Sequence, residues 1–184
     1  MSEIAQRHQK LAAEFDRRVV AVPDTAWDNA SPCAGWTARD VLRHVLETSY
    51  RDMPAQVGLT VTIGSVDDDP VGAWRGARDQ LQEILADPAR AGLEYDGMFG
   101  RTSLAQTIGG FCLFDLLIHG WDIARATGGD ETLPADEVHS TYQQAVGMGD
   151  MLRTDGVCGP AVPVPSDAPE QDRLLGLLGR DPRR

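Results

Sequence analysis

The chain has 184 residues, with 17 basic against 28 acidic side chains and a formal net charge of −11. Such acidity disfavours phosphate backbones and anionic bilayer surfaces, so no nucleic acid and no membrane is expected as a partner. At 42% hydrophobic and 24% charged residues, the composition is that of a globular protein with one core; a single domain over residues 1–184 is expected. The start lacks a basic segment followed by an apolar one, and no window approaches the roughly 18 uninterrupted apolar residues of a membrane helix. A cytoplasmic location is therefore expected. The three cysteines, Cys33, Cys112 and Cys158, are odd in number and far apart, which fits free thiols rather than a disulfide framework or a Cys-x-x-Cys site.

From Ile4 to Val20 the apolar residues Ile4, Leu11, Ala12, Phe15 and Val19 recur at helical spacing, which predicts a first helix. Pro23 and the polar run to Pro32 break it. Thr37, with Asp40 three residues later, then supplies a cap for a second helix carrying Val41, Leu42, Val45 and Leu46 on one face, with Pro54 near its end. Residues 57–66 read as an extended connection. A third helix starts with Asp69 as cap and Pro70 in the first turn, is carried by Val71, Trp74, Ala77, Leu81, Ile84 and Leu85, and is closed by Pro88. Leu93 to Thr102, with Gly97 and Gly100, reads as a small hairpin or a loop. Ser103 caps the most apolar helix, about Leu104 to Thr127, which Gly128 and Gly129 terminate. A helix from Pro134 to about Leu152, a proline-rich stretch from Gly159 and a short helix around Gln171 to Leu178 complete the chain. Amphipathic helices in this order pack as an all-α bundle, with four long helices, a short extra helix and a possible small hairpin.

The most informative string is Phe111-Cys-Leu-Phe-Asp115-Leu-Leu-Ile-His119-Gly-Trp-Asp122. It places three ionisable groups inside the most apolar helix, where burial without partners would cost several kcal/mol. Positions 115, 119 and 122 fall about one face, with Asp115 and His119 one turn apart. On the second helix, His44 lies four residues after Asp40 among apolar neighbours. A carboxylate and an imidazole one turn apart, completed by a histidine from a facing helix, suit a divalent ion and leave coordination positions open. The same residues also fit a hydrogen-bonded pair in the core. With no thiolate in the set, Zn²⁺, Ni²⁺, Mn²⁺ and Fe²⁺ are all compatible.

Three strings carry a resemblance. Ser31-Pro-Cys-Ala-Gly-Trp-Thr-Ala-Arg-Asp-Val-Leu-Arg-His44 and Asp115-Leu-Leu-Ile-His119-Gly-Trp-Asp-Ile-Ala-Arg-Ala-Thr-Gly128 resemble the two ligand motifs of DinB-like metalloproteins. The branch they are similar to contains the N-terminal domain of mycothiol-dependent maleylpyruvate isomerases. The tail, Gly159-Pro-Ala-Val-Pro-Val-Pro with Gln171-Asp-Arg-Leu-Leu-Gly-Leu-Leu-Gly179-Arg, resembles the ending of a metal-binding subgroup. The resemblance implies a DinB-like four-helix bundle and one divalent ion held by His44, Asp115 and His119. In the isomerase the carboxylate is a glutamate, so Asp115 is one methylene shorter. The isomerase also has a second domain supplying a substrate-binding arginine, so a complete maleylpyruvate isomerase is not expected. What the resemblance does imply is metal activation of a low-molecular-weight thiol, possible mycothiol as cosubstrate, and transfer of that thiol to a small electrophile. The alternative is a non-catalytic metal or small-molecule binding protein of the same fold. Either is compatible with a monomer or a homodimer.

Other conspicuous residues receive structural readings. Cys33 reads as packing in a turn, Cys112 as core, and Trp36 and Trp121 as core anchors. Asp122 is read as supporting the ligand set rather than joining it, with Arg125 at i+3 as an available ion-pair partner. Asp40 belongs to the cap, Asp67, Asp68 and Asp69 to a solvated turn, and His8 and His139 to polar, solvated surroundings.

Overall fold

The computed structural model describes residues 2–98, 100–154 and 157–183. The chain forms two compact units, Met1–Asp130 and Glu131–Arg184.

The first unit is an all-α bundle with a small hairpin. Helix α1 (Glu3–Ala21) starts where Ser2 accepts a hydrogen bond from the Ala5 amide. It buries Ala5, His8, Leu11, Ala12, Phe15 and Val19 along one face. His8 corrects the expectation of a solvated side chain: it is fully buried. Its neighbours Gln9 and Lys10 are polar, but its position three before Leu11 and four before Ala12 places it on the inward face. Helix α2 (Ala38–His44) opens on a capping box in which Thr37 and Asp40 satisfy each other's backbone amides. The helical path then loosens into a π-helical stretch, Val45–Asp52, and ends in the turn α3 (Met53–Ala55).

Helix α4 (Pro70–Ala86) is capped by Asp69, which accepts from the Gly72 amide at 2.8 Å. Pro88 does more than close it. Asp87 caps a new turn, α5 (Pro88–Ala91), with proline in its first turn, where its missing N–H costs nothing. Strands β1 (Glu94–Gly97) and β2 (Gly100–Ser103) pair antiparallel, Glu94 opposite Ser103 and Gly97 opposite Gly100. The expected hairpin is thus formed, residue 99 within it lying outside the described residues. Ser103 and Gln106 form a second capping box at the start of α6 (Leu104–Thr107). A π-helical stretch, Ile108–Cys112, leads into α7 (Leu113–Thr127), and Gly128 stops it in the left-handed conformation at φ 73°.

Helix α1 packs against both α4 and α7, and α2 packs against α7, with the π-helical stretch after α2 against α4. Gly120 permits the α1–α7 approach, since a Cβ there would stand 3.3 Å from Phe15 Cδ2. Trp74 fills the centre with ring centroids 4.6 Å from Phe15 and 5.3 Å from Tyr50. At the rim of the α1–α4 contact, Asp16 accepts from Trp74 Nε1 at 3.1 Å and from Arg75 and Arg78. The Arg75 hydrogen bond chiefly holds the Asp16 carboxyl below its usual range, against the opposing effect of burial. The continuous helix Leu104–Thr127 is long and apolar enough to cross a membrane, but it is mostly buried inside the protein.

In the second unit, α8 (Ala135–Met148), a 3₁₀ turn over Gly149–Arg153 and α9 (Glu170–Leu177) follow in order, α8 packing on α9. Gln171 bridges the Leu133 amide and the Glu131 carbonyl, and the Val162 amide donates to the Gly176 carbonyl. His139 is exposed, as expected, beside Glu170 at 3.2 Å.

Candidate metal centre

Three of the residues singled out by spacing meet in space. His44 is the last residue of α2, and Asp115 and His119 stand one turn apart on α7. Each offers one ligand atom, and these atoms all lie within 4.8 Å of one another. Asp115 Oδ1 is 3.9 Å from His119 Nε2, and the two imidazoles meet edge to face with centroids 5.1 Å apart. The cluster is half-buried.

Around it stand residues that hold these three in place. Asp122, with no exposed surface, accepts from His119 Nδ1 at 2.9 Å and from the Cys33 thiol at 3.3 Å. With Nδ1 committed to Asp122, His119 presents Nε2 towards Asp115. Cys33, His119 and Asp122 form a second tight group on the other side of the same ring. Asp115 receives the Ser49 hydroxyl on Oδ2 at 2.7 Å, and Thr48 Oγ1 lies 3.3 Å from His44 Nδ1. Both contacts arise in the π-helical stretch that begins directly after His44. Its widened turn lets Thr48, four residues on, and Ser49, five residues on, both address the cluster.

The electrostatics follow from this packing. Burial chiefly pushes the His44 imidazole below its usual range, helped by the neighbouring His119 and opposed by Asp115 and Glu47. A neutral ring with an available lone pair results. Burial pushes His119 down as well, but the hydrogen bonds with Asp122 and Cys33 and the charge of Asp115 outweigh it, and the ring is pushed up to about 10. The two neighbouring carboxylates thus favour a proton on this ring, and a cation held at Nε2 would take that proton's place.

Two readings of the surrounding residues change. Trp36 is half-buried rather than a core anchor, and its ring covers the cluster, 4.9 Å from His44 and 6.4 Å from His119. Cys33 is not mere turn packing, because its thiol donates to Asp122. Trp121 and Cys112 are buried, as expected, and Arg125 lies over the Trp121 ring at 4.8 Å. Ser49 gives no signal in the sequence, since a lone serine on a helix carries no spacing of its own.

Comparison with known proteins bears on the same residues. The sequence model of the mycothiol maleylpyruvate isomerase N-terminal domain matches residues 8–124, well over half of the chain. The chain belongs to that family. The matched region of this family member includes His44, Asp115, His119 and Asp122, and also Cys33 and Ser49. Two proteins of Mycobacterium tuberculosis are similar to it along almost their full length: Uncharacterized protein MT0763 (strain CDC 1551 / Oshkosh) and Uncharacterized protein Rv0738 (strain ATCC 25618 / H37Rv). Each is 26% identical over 178 residues, covering 96% of this chain and 97% of its own. No solved structure gives a significant match.

Proposed function

We propose that this family member binds one divalent metal ion through His44, Asp115 and His119 and uses it to activate a low-molecular-weight thiol of the mycothiol type. The thiol would be transferred to a small electrophile in the cytoplasm. The observation that carries the reading is the convergence of three ligand atoms, from two helices, within 4.8 Å of one another. Membership in a family named for a mycothiol-dependent reaction supports the choice of thiol.

The donor set fits such an ion. Two imidazole nitrogens and one carboxylate oxygen suit Zn²⁺, Ni²⁺, Mn²⁺ or Fe²⁺, and three protein ligands leave room for a further one. When bound, the ion supplies positive charge that lowers a thiol pKa from about 8.5 and keeps the thiol ionised near neutrality. The protein's own residues prepare this. Burial keeps His44 neutral, Asp122 fixes which nitrogen His119 presents, and Trp36 covers one side of the His44 ring.

The test is spectroscopic. Protein loaded with Co²⁺ is titrated with mycothiol, and the visible spectrum should change saturably, an effect that His44→Ala abolishes. A Co²⁺ spectrum that no thiol alters would contradict thiol activation and favour a non-catalytic metal-binding protein of the same fold.

A further inference from the structure

We infer that Ser49 is a positioning residue for Asp115, seated next to Tyr50, whose hydroxyl is in turn anchored to His8 of α1. The inference rests on the metal reading above and concerns how a short carboxylate is aimed. Ser49 is fully buried and has one hydroxyl proton, which it donates to Asp115 Oδ2 at 2.7 Å. This occupies one carboxylate oxygen and leaves Oδ1 on the side of His119 Nε2. An aspartate carboxylate has a single torsion beyond Cβ, so a hydrogen bond on one oxygen fixes the direction of the other.

Ser49 does not stand alone. The Cys112 thiol, also fully buried, lies beside Ser49 and Tyr50. The Tyr50 hydroxyl lies 2.9 Å from His8 Nε2, and His8 Nδ1 lies 2.7 Å from Gln82 Oε1. Gln82 Nε2 donates to the Ala5 carbonyl, which leaves Oε1 as the acceptor facing His8. His8 therefore donates from Nδ1 and accepts the Tyr50 proton at Nε2. Tyr50, His8 and Gln82 thus have defined hydrogen-bond directions, and buried networks that are satisfied in this way resist rearrangement. Two π-helical stretches, Val45–Asp52 and Ile108–Cys112, supply Ser49, Tyr50 and Cys112, and they pack against each other. In a regular α-helix neither widened turn would exist, which gives these irregular stretches a role in building the site.

The test is Co²⁺ affinity measured by titration in four proteins: the wild type, Ser49→Ala, Asp115→Ala and the double variant. Ser49→Ala should weaken Co²⁺ binding about tenfold, the usual scale for losing a partner of a metal ligand. Asp115→Ala should weaken it further, and adding Ser49→Ala to that background should change nothing more, because the serine acts only through the carboxylate. Ser49→Cys, close to serine in size but a poor donor, should repeat the alanine loss and so separates the hydroxyl from packing. Unchanged affinity in both Ser49 variants, or losses that add in the double variant, would overturn the positioning role while leaving the metal site standing. Absence of Co²⁺ binding by the wild type would overturn the metal reading and this inference together.

Discussion

Asp122 is the residue whose burial demands most explanation, because a carboxylate with no exposed surface costs several kcal/mol unless its oxygens are hydrogen-bonded. His119 and Cys33 both donate to its Oδ2, and in return the carboxylate orients the imidazole. Asp122→Ala leaves a ring N–H and a thiol without this acceptor and should destabilise the fold by about 1–3 kcal/mol in urea unfolding. Asp122→Asn keeps a neutral acceptor and should cost less stability while still weakening Co²⁺ binding, by roughly tenfold. An alanine variant as stable as the wild type would remove this account of the residue. At this scale the sequence was informative where a residue obeys helical spacing. Asp115 and His119 at i and i+4, and His44 on an apolar face, were legible for that reason. Cys33 and Trp36 come from the loop before α2 and reach the cluster only through tertiary packing, so helical spacing does not announce them. His8 was misjudged by its immediate neighbours when its position along the helix was the better guide.

Among the elements, the boundaries were the legible part, because they are set by local chemistry. Thr37 with Asp40, Asp69 before Pro70, and Ser103 all cap helices as their residue types require, and Gly128 ends α7. Gly128→Ala forces a Cβ into the left-handed region and should cost about 1 kcal/mol, read as a lower urea midpoint with an unchanged slope. An unchanged midpoint would mean that the terminus rearranges at no cost. The interior of the elements was less legible. Both π-helical stretches interrupt what the apolar period predicts as plain α-helix, since one widened turn barely disturbs a pattern that is apolar on several sides. Those stretches contribute Ser49, Tyr50 and Cys112, so the buried polar groups near Asp115 leave no mark on the apolar period.

For the molecule as a whole, the net charge of −11 names no partner, and stability against pH is a more discriminating property. Burial, partly opposed by the Gln82 hydrogen bond, pushes the His8 pKa below its ordinary 6.5. Below about 6.5 the unfolded chain therefore binds protons that the folded chain resists, so this contribution is fully present above that pH and is lost as the pH falls. His44 adds a trend of the same sign, and His119, pushed up to about 10, adds one of the opposite sign. Because the His119 trend opposes it, the His8 contribution is read as a difference: on going from pH 7.5 to 5.5, His8→Gln, which lacks the titrating ring, should lose less stability in urea unfolding than the wild type. Equal losses in the two proteins would show that His8 is not protonated on unfolding in this range. The central claim is the metal site itself, and metal content tests it most directly. Protein prepared without a histidine tag is incubated separately with Zn²⁺, Ni²⁺, Mn²⁺ and Fe²⁺, gel-filtered and analysed for bound metal. The account predicts about one equivalent per chain with at least one of these ions and almost none in a His44→Ala/His119→Ala variant that remains folded. Less than about a tenth of an equivalent in the wild type with every ion would contradict it.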